Sequence, residues 1–491
     1  MKTFLSHLNE SMLDDMLSMK VRKTIKRAGG KIYQIGGVVR DELLGKISKD
    51  LDLLVVGVEL DDLEKILKPF GKVNMVGKSF GILKFIPTGS TADEDIDISV
   101  PRIDSKSTGD GHKDFEVQLG KGITLQQDQL RRDFWINQIA KDVDTGKILD
   151  TDGKGMKDIK NKEIRMISPT SFSDDPLRML RAVQFAARFE FSIEANTFRE
   201  MKKNAKTIKS VSPDRFQEEF KKLFSKSDKP SHGVKILFDS GLMNHIFVKS
   251  KLKNIDTVTM DKLPKDAFPT FIALLMESYG EASGAISKSV LRMSNVNAKL
   301  VQSVVQWIDN SSILEKNDWE LVKFTKNFDT TEVDKYLKVI KKPTASSRLK
   351  KLKVSSIKDL PINGKDLTQL GLRGKMIGVA INFALEFAVN KNTNNKSRIL
   401  AAITDKFGDM EEEYKRDYKK ERENYLGTPK QMERNAARKR ARRRMEKVGK
   451  AKPFDGRDIH HKDNNPLNND ENNLSSVTVK YNRTEPRRRQ K

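Results

Sequence analysis

The segment YQIGGVVRDELLGKISKDLDLLVVGV, Tyr33 to Val58, decides how this chain is read. It opens in an alternating strand, Ile32, Tyr33, Gln34 and Ile35, which breaks at Gly36-Gly37. A short helical turn carries Val39, Arg40, Asp41 and Leu43 to Gly45, and a second strand, Asp50 to Val56, begins with two carboxylates. Residues i and i+2 of a strand share a face, so Asp50 and Asp52 present their oxygens side by side. Such a pair suits hard divalent cations, and two cations can activate one oxygen and stabilise another in an in-line displacement. Gly36 and Gly37 allow backbone N–H groups to approach a phosphate closely, and Arg40 supplies a charged fork.

A Gly-Gly pair or an Asp-x-Asp triplet alone is a weak signal. The whole pattern, Gly-Gly-x-Val-Arg-Asp, then Leu-x-Gly, then Asp-x-Asp opening an apolar strand, resembles the signature of the tRNA nucleotidyltransferases and bacterial poly(A) polymerases. These are a branch of the polymerase-β-like nucleotidyltransferases. The resemblance implies an α+β palm followed by all-α neck, body and tail domains, with two Mg²⁺ ions at Asp50 and Asp52. ATP and CTP would be the substrates and a tRNA 3′ end the acceptor.

Composition agrees with a polyanionic partner. The chain has 491 residues and a net charge of +25, which favours nucleic acid; a lysine-rich solvated surface is the bland alternative. The length fits about two to four domains. No run of about 20 apolar residues is present, Met1 to Lys20 lacks a signal-peptide core, and no membrane partner is expected. The lack of cysteine excludes disulfides and thiolate zinc sites. It fits a reducing, cytoplasmic setting.

Leu5, Leu8, Met12, Met16 and Met19 predict a lead-in helix over residues 1–30, and Glu59 to Pro69 a second, amphipathic one. Strands are expected at Phe80–Ile86 and Ile96–Val100. Asp97 reads either as a third carboxylate completing the ligand set or as an exposed acid beside Asp93, Glu94 and Asp95. Asp104 to Phe115 is polar and glycine-bearing and reads as a mobile loop, with His112 a solvated loop histidine. Thr124 to Ala140 is expected to be helical and to carry Arg131-Arg132-Asp133-Phe134-Trp135-Ile136-Asn137. This is similar to the family's Arg-Arg-Asp-Phe-Thr-Ile-Asn motif, with Trp135 in place of Thr. By that likeness Arg132 meets the triphosphate, with Gly36, Gly37 and Arg40, and Asp133 accepts from the ribose.

From Ser171 the chain turns helical, one helix running to about Phe189. Asp175, Arg178 and Arg181, three apart, would share its face. The stretch resembles the family's Glu-Asp-x-x-Arg motif, in which an Asp accepts from an exocyclic amine and an Arg donates to the base. Asp174 stands where Glu is usual, and Gln184 where the family has a phosphate-facing Arg. Arg215 and Glu219 resemble an Arg-x-x-x-Glu helix bracing the nucleotide pocket. Pro361 to Gly378 resembles the family's tail module, which contacts the tRNA elbow. No His-Asp dipeptide occurs, so the phosphohydrolase domain of some relatives is not expected.

Residues 430–491 hold 19 Lys and Arg against 8 Asp and Glu, and Arg438 to Arg444 forms a basic helix face suited to backbone phosphates. Asp458-Ile-His460-His461-Lys-Asp463 with Asn473 and Asn482 resembles an HNH nuclease motif of phage type, a small ββα module. By that likeness His461 is the general base, His460 and Asn482 ligate a divalent metal, and Asn473 positions. The cysteine knuckles of many such modules are missing, so both a nuclease and a module that only binds DNA or RNA stay open. The expected domains are a nucleotidyltransferase head (1–150), a neck (151–250), a tRNA-binding body and tail (251–408) and the basic HNH-like module (409–491). The activity implied is CCA addition to tRNA. A-only addition, CC-only addition, poly(A) synthesis, and a nucleic-acid-binding or nuclease protein with a vestigial transferase are its rivals. The fusion suggests a phage-encoded protein acting in a bacterial cytoplasm.

Overall fold

The computed structural model describes residues 13–479 and Tyr481, apart from 15, 48–50, 77–80, 90–94, 107–114, 409–427 and 453–454. Asp50, His112 and Asn482 lie outside the described residues, as does the charged segment Glu411 to Glu423.

A mixed seven-stranded sheet organises the N-terminal part. Its strands are β1 (Lys31–Ile35), β2 (Asp52–Val56), β3 (Gly71–Met75), β4 (Ile82–Pro87) and β5 (Ile96–Ser99), with β8 (Ala140–Asp142) and β9 (Ile148–Leu149). The order is β3-β4-β5-β2-β1-β8-β9. β6 (Arg102–Lys106) and β7 (Phe115–Leu119) form a separate antiparallel ribbon, so Asp104 to Lys106 and Phe115 of the expected loop are strand, and the rest of it lies outside the described residues.

The two faces of the sheet are set by alternation. Ile32, Leu53, Val55, Leu83, Phe85, Ile96 and Ile98 pack with α1 (Met19–Arg27) and α3 (Leu60–Leu67) into one core, while Tyr33, Ile35, Leu54 and Ala140 join a small cluster apart from it. α2 (Gly37–Leu43) lies between β1 and β2 in the chain and packs Val38 and Val39 on Ile139. Of the expected lead-in stripe, Leu5, Leu8 and Met12 lie outside the described residues, Met16 packs partly buried on this core, and Met19 is 58% exposed. The expected single helix is interrupted at Leu17 and Ser18, and Leu13, Leu17, Val21 and Ile25 turn inward across that break.

Two further expected helices are broken. Thr124 to Ala140 divides into α4 (Leu125–Leu130), a turn holding Arg131 to Asp133, α5 (Trp135–Gln138) and the start of β8. α4 opens with a capping box between Thr124 and Gln127. After α6 (Lys154–Asn161), the segment from Ser171 divides into α7 (Ser171–Asp174) and α8 (Leu177–Phe189). The residue before a proline is pushed out of the helical region, and Asp175, before Pro176, is extended at φ −139° and ψ 100°. A short parallel pair, β10 (Glu163–Ile164) and β11 (Ser192–Ile193), closes the neck. α8 buries Leu180, Val183 and Ala187 in a core shared with Pro213–Ser225, Pro230–Asp239 and the body helices as far as Ala345.

Two compact units result: residues 1–356 with 389–393, and residues 357–388 with 394–491. In the second, Asn363 caps the helix Gly364–Gln369. The helix Pro429–Lys447 buries Ala437, Ala441 and Met445 against the hairpin of β12 (Arg457–His461) and β13 (Leu474–Thr478). Among the described residues no helix is long and apolar enough to cross a membrane.

Candidate active site

The site begins at the turn between β1 and α2. Gly36 has φ 67° and ψ −124°, a conformation glycine tolerates and L-residues resist. A Cβ built there would lie 3.7 Å from Asp52 Oδ2 and 3.4 Å from Arg132 Nη1. Carboxylate and guanidinium therefore converge on a spot kept open by the missing side chain. Parallel pairing sets Asp97 directly beside Asp52, and antiparallel pairing sets Lys84 beside Asp97. Their strand neighbours Leu53, Ile98, Leu83 and Phe85 point the other way, into the core. Lys84 Nζ lies 3.3 Å from Asp97 Oδ1 and 2.9 Å from Asp95 Oδ1. The all-oxygen character of Asp52 and Asp97 fits a hard divalent cation. Among the described residues no three such ligands cluster.

Arg132 is held from below by a residue not singled out in the sequence. Asp128, 0% exposed, accepts from Arg131 Nε (2.9 Å) and Nη2 (2.7 Å) through Oδ1, and from Arg132 Nη2 (3.0 Å) through Oδ2. Its burial works to raise the carboxyl pKa, but the Arg132 and Arg131 charges hold it below the ordinary range. The signal was available as spacing: Asp128 on α4 precedes by three and four residues the two arginines of the turn that follows it. Arg132 Nη1, the atom that faces Gly36, donates to the Asn137 carbonyl oxygen (3.3 Å), while Nε is buried without a hydrogen-bond partner; a guanidinium so placed suits a phosphate.

Other expected residues stand elsewhere. Arg40 is 3% exposed and does not serve the open spot at Gly36. Its Nε donates to Asp41 Oδ1 (2.9 Å), its Nη1 to Asn137 Oδ1, and its guanidinium lies 5.1 and 4.7 Å from the ring centres of Phe185 and Phe189. Asp133 is also buried and spoken for. Its Oδ1 accepts from Phe134 N and Asn137 Nδ2, and its Oδ2 from Arg181 Nε at 2.7 Å. The Arg181 charge, with an Asn137 hydrogen bond, keeps the Asp133 carboxyl low against the effect of burial. Trp135 is buried beneath Lys154 Nζ, 4.4 Å from its ring centre, and a Cβ on Gly155 would stand 2.5 Å from the Trp135 carbonyl oxygen. It is a packing residue.

Of three further polar groups of the neck, Arg178 reaches the head. Asp175, in the break before α8, accepts from Leu177 N (3.1 Å) and meets Arg215 Nη2 at 3.3 Å. Being extended, it does not sit on the helical face with Arg178 and Arg181. Arg178 donates to Ser171 Oγ (2.9 Å) and to the Arg131 carbonyl oxygen (2.8 Å). Gln184 is buried, with Nε2 unpartnered.

In the C-terminal unit His460 and His461 end β12 and are buried, His460 edge-on to Tyr481. The side chain that touches His461 is Asn469 rather than Asn473: His461 Nε2 stands 2.9 Å from Asn469 Oδ1, and Asn469 Nδ2 donates to the Ala437 carbonyl oxygen. Asn473 braces the turn instead, donating to Asp463 Oδ1 and the Asn468 carbonyl oxygen. Arg442 is structural, bonded to Glu446, Asp455 and the Lys452 and Arg457 carbonyl oxygens. Arg438, Arg440, Arg443 and Lys447 stay exposed.

Residues 32–165 match the poly A polymerase head domain, and residues 190–252 match the probable RNA and SrmB-binding site of polymerase A. The chain is 34% identical over 222 residues to the Multifunctional CCA protein of Xanthomonas campestris pv. campestris, covering 44% of this chain and 50% of that protein. It is 35% identical over 225 residues to the Multifunctional CCA protein of Cupriavidus metallidurans, again covering 44% and 50%. The chain thus spans about half the length of the curated relatives it matches. Among solved structures, the Bacillus stearothermophilus CCA-adding enzyme in complex with CTP aligns with a TM-score of 0.61 at 22% identity, covering 81% of this chain and 98% of that one. The Thermotoga maritima CCA-adding enzyme complexed with tRNA aligns with a TM-score of 0.56 at 23% identity, covering 79% and 94%. Likeness at that identity establishes the fold.

Proposed function

Because residues 32–165 and 190–252 match the poly A polymerase head domain and the probable RNA and SrmB-binding site of polymerase A, we propose that this chain is a CCA-adding enzyme of that family, adding C, C and A, from CTP and ATP, to tRNA 3′ ends without a nucleic-acid template. The observation that carries the reading is the convergence of Asp52 Oδ2 and Arg132 Nη1 on the open spot at Gly36. In this reading Arg132, fixed by Asp128, takes the triphosphate, while Gly36 and Gly37 let it come close to the backbone. Asp52, with Asp50 and Asp97, would hold Mg²⁺, which when bound supplies activation of the 3′-hydroxyl and stabilisation of the departing pyrophosphate. Asp175 accepts from the exocyclic amine that C and A carry, and Arg178 donates to the ring. U and G leave those groups unmatched, and an unpaired buried polar group costs about 1–3 kcal/mol.

The test supplies labelled CTP or ATP, Mg²⁺ and tRNA lacking its terminal CCA. Addition of C, C and A that then stops is the expected product; A-only, CC-only or unlimited extension selects one of the rival transferases. Asp52→Ala should abolish incorporation with tRNA affinity unchanged, and retained incorporation refutes the assignment.

A second reading concerns the C-terminal module, for which we propose an HNH-like nucleic-acid site. It is supported by the histidine-bearing hairpin, by Asn469 on His461 Nε2, which leaves the lone pair on Nδ1, and by the exposed cations of the basic helix. His460 and Asn482 would hold a divalent metal. Metal-dependent nicking of DNA or RNA that disappears in His461→Ala would establish cleavage. Binding without nicking would reduce the module to an anchor.

A further inference from the structure

Besides Arg178 on the Arg131 carbonyl, the neck helix α8 meets the head through Arg181 and Arg188, two turns or about 10 Å apart. Arg188 Nη2 lies 2.8 Å from Asp41 Oδ2. Asp41 Oδ1 lies 2.7 Å from Arg40 Nη2, Arg40 Nη1 donates to Asn137 Oδ1, Asn137 Nδ2 donates to Asp133 Oδ1 (2.9 Å), and Asp133 Oδ2 receives Arg181 Nε (2.7 Å). A single polar chain therefore leaves α8 at Arg188, crosses the head through α2 and α5, and returns to α8 at Arg181. Its four middle members, Asp41, Arg40, Asn137 and Asp133, are buried. Arg40 also lies over Phe185 and Phe189, which stack nearly parallel on α8 between and beside the two anchor points.

Such a chain tolerates little rotation. Guanidinium forks are directional, and parting one buried pair leaves an uncompensated charge behind. Burial pulls the Arg40 pKa down, and the Asp41 charge opposes this, so each link depends on the next. Gln184, between the anchors, has an unpartnered Nε2 and adds nothing to the grip.

We propose that Asp41 and Arg188 are positioning residues for nucleotide selection. They fix the rotation of α8 on the head, and so fix where Asp175, Arg178 and Arg181 stand relative to Asp52. The inference rests on the transferase reading above. Neither residue touches the nucleotide; both act through Arg181 and the helix that carries it.

The experiment measures kcat and KM for CTP, ATP, UTP and GTP on tRNA lacking CCA, with thermal unfolding alongside, for the native chain, Arg188→Met and Arg188→Lys. Arg188→Met should raise KM for CTP and ATP and reduce the preference for them over UTP and GTP by about tenfold, the scale of a displaced binding group. Arg188→Lys, which can still reach Asp41, should recover most of that preference. An equal fall in kcat for all four nucleotides, or unaltered selectivity in a folded Arg188→Met, overturns the proposal. Should Arg188→Met fail to fold, Arg188→Gln, which keeps a donor toward Asp41, carries the same comparison. A native chain that incorporates nothing refutes the transferase reading instead, before Arg188 is in question.

Discussion

Asp158 shows how one buried carboxyl can govern stability. It is 1% exposed, receives Arg165 Nε at 3.0 Å, and leaves Oδ2 without a partner. Burial pushes its pKa from 3.8 up to about 6, against the Arg165 hydrogen bond and charge, with Glu163 and Glu194 adding to the rise. A carboxyl raised in the folded state stabilises fully below its ordinary value and loses that contribution as pH climbs through the folded one. Thermal stability should therefore decline between about pH 4 and 6.5. Asp158→Asn, neutral throughout, should flatten that decline and unfold later than the native chain at neutral pH. Identical melting profiles for the two across that range would refute the account. At this scale the sequence was partly legible. Asp52 was named from type and spacing and Arg132 from the family likeness, and both stand at the Gly36 turn, whereas Arg40 and Asp133 are of the right type and belong to a buried chain that only packing creates.

Among the elements, the turn from β1 to α2 carries the most strain-sensitive position. Gly36→Ala would put a Cβ into a backbone at φ 67° and ψ −124°, costing about 1–3 kcal/mol, and would fill the spot facing Asp52 and Arg132. The expected result is a lower urea midpoint together with a loss of incorporation; unchanged stability would mean that the turn relaxes freely. Elements were legible where period and pattern agreed, as in Leu60–Leu67 and the alternating sheet strands. They were misread where one helix proved to be two. The break before Pro176 follows from the proline, and it removes Asp175 from the helical face. The turn at Arg131–Asp133 has no proline or glycine to announce it; it is held by Asp128 below and by Arg178 on the carbonyl of Arg131.

At the scale of the whole molecule, two compact units divide the labour of the sequence. The first holds the sheet, the neck and a helical core that runs continuously from Phe134 to Ala345. The second holds the basic helix, which buries Ala437, Ala441 and Met445 at its hairpin and leaves Met432 exposed among its cations. This separates arginines by role: Arg442 builds the module, while Arg438, Arg440 and Arg443 stay available to phosphate. Composition alone, at +25, could not make that distinction.

By itself the sequence determined the α+β head, the helical remainder, the glycine turn and the carboxylate strand, because each is written in local period, spacing and residue type. Only the tertiary structure decided which of the charged residues face the cleft and which are consumed in holding head to neck. Arg132 and Arg40 are the same side chain in similar motif positions. One turns its Nη1 toward Gly36 and the other is enclosed by Asp41, Asn137 and two phenylalanine rings. The difference arises from partners distant in the chain, and those are brought together only by packing.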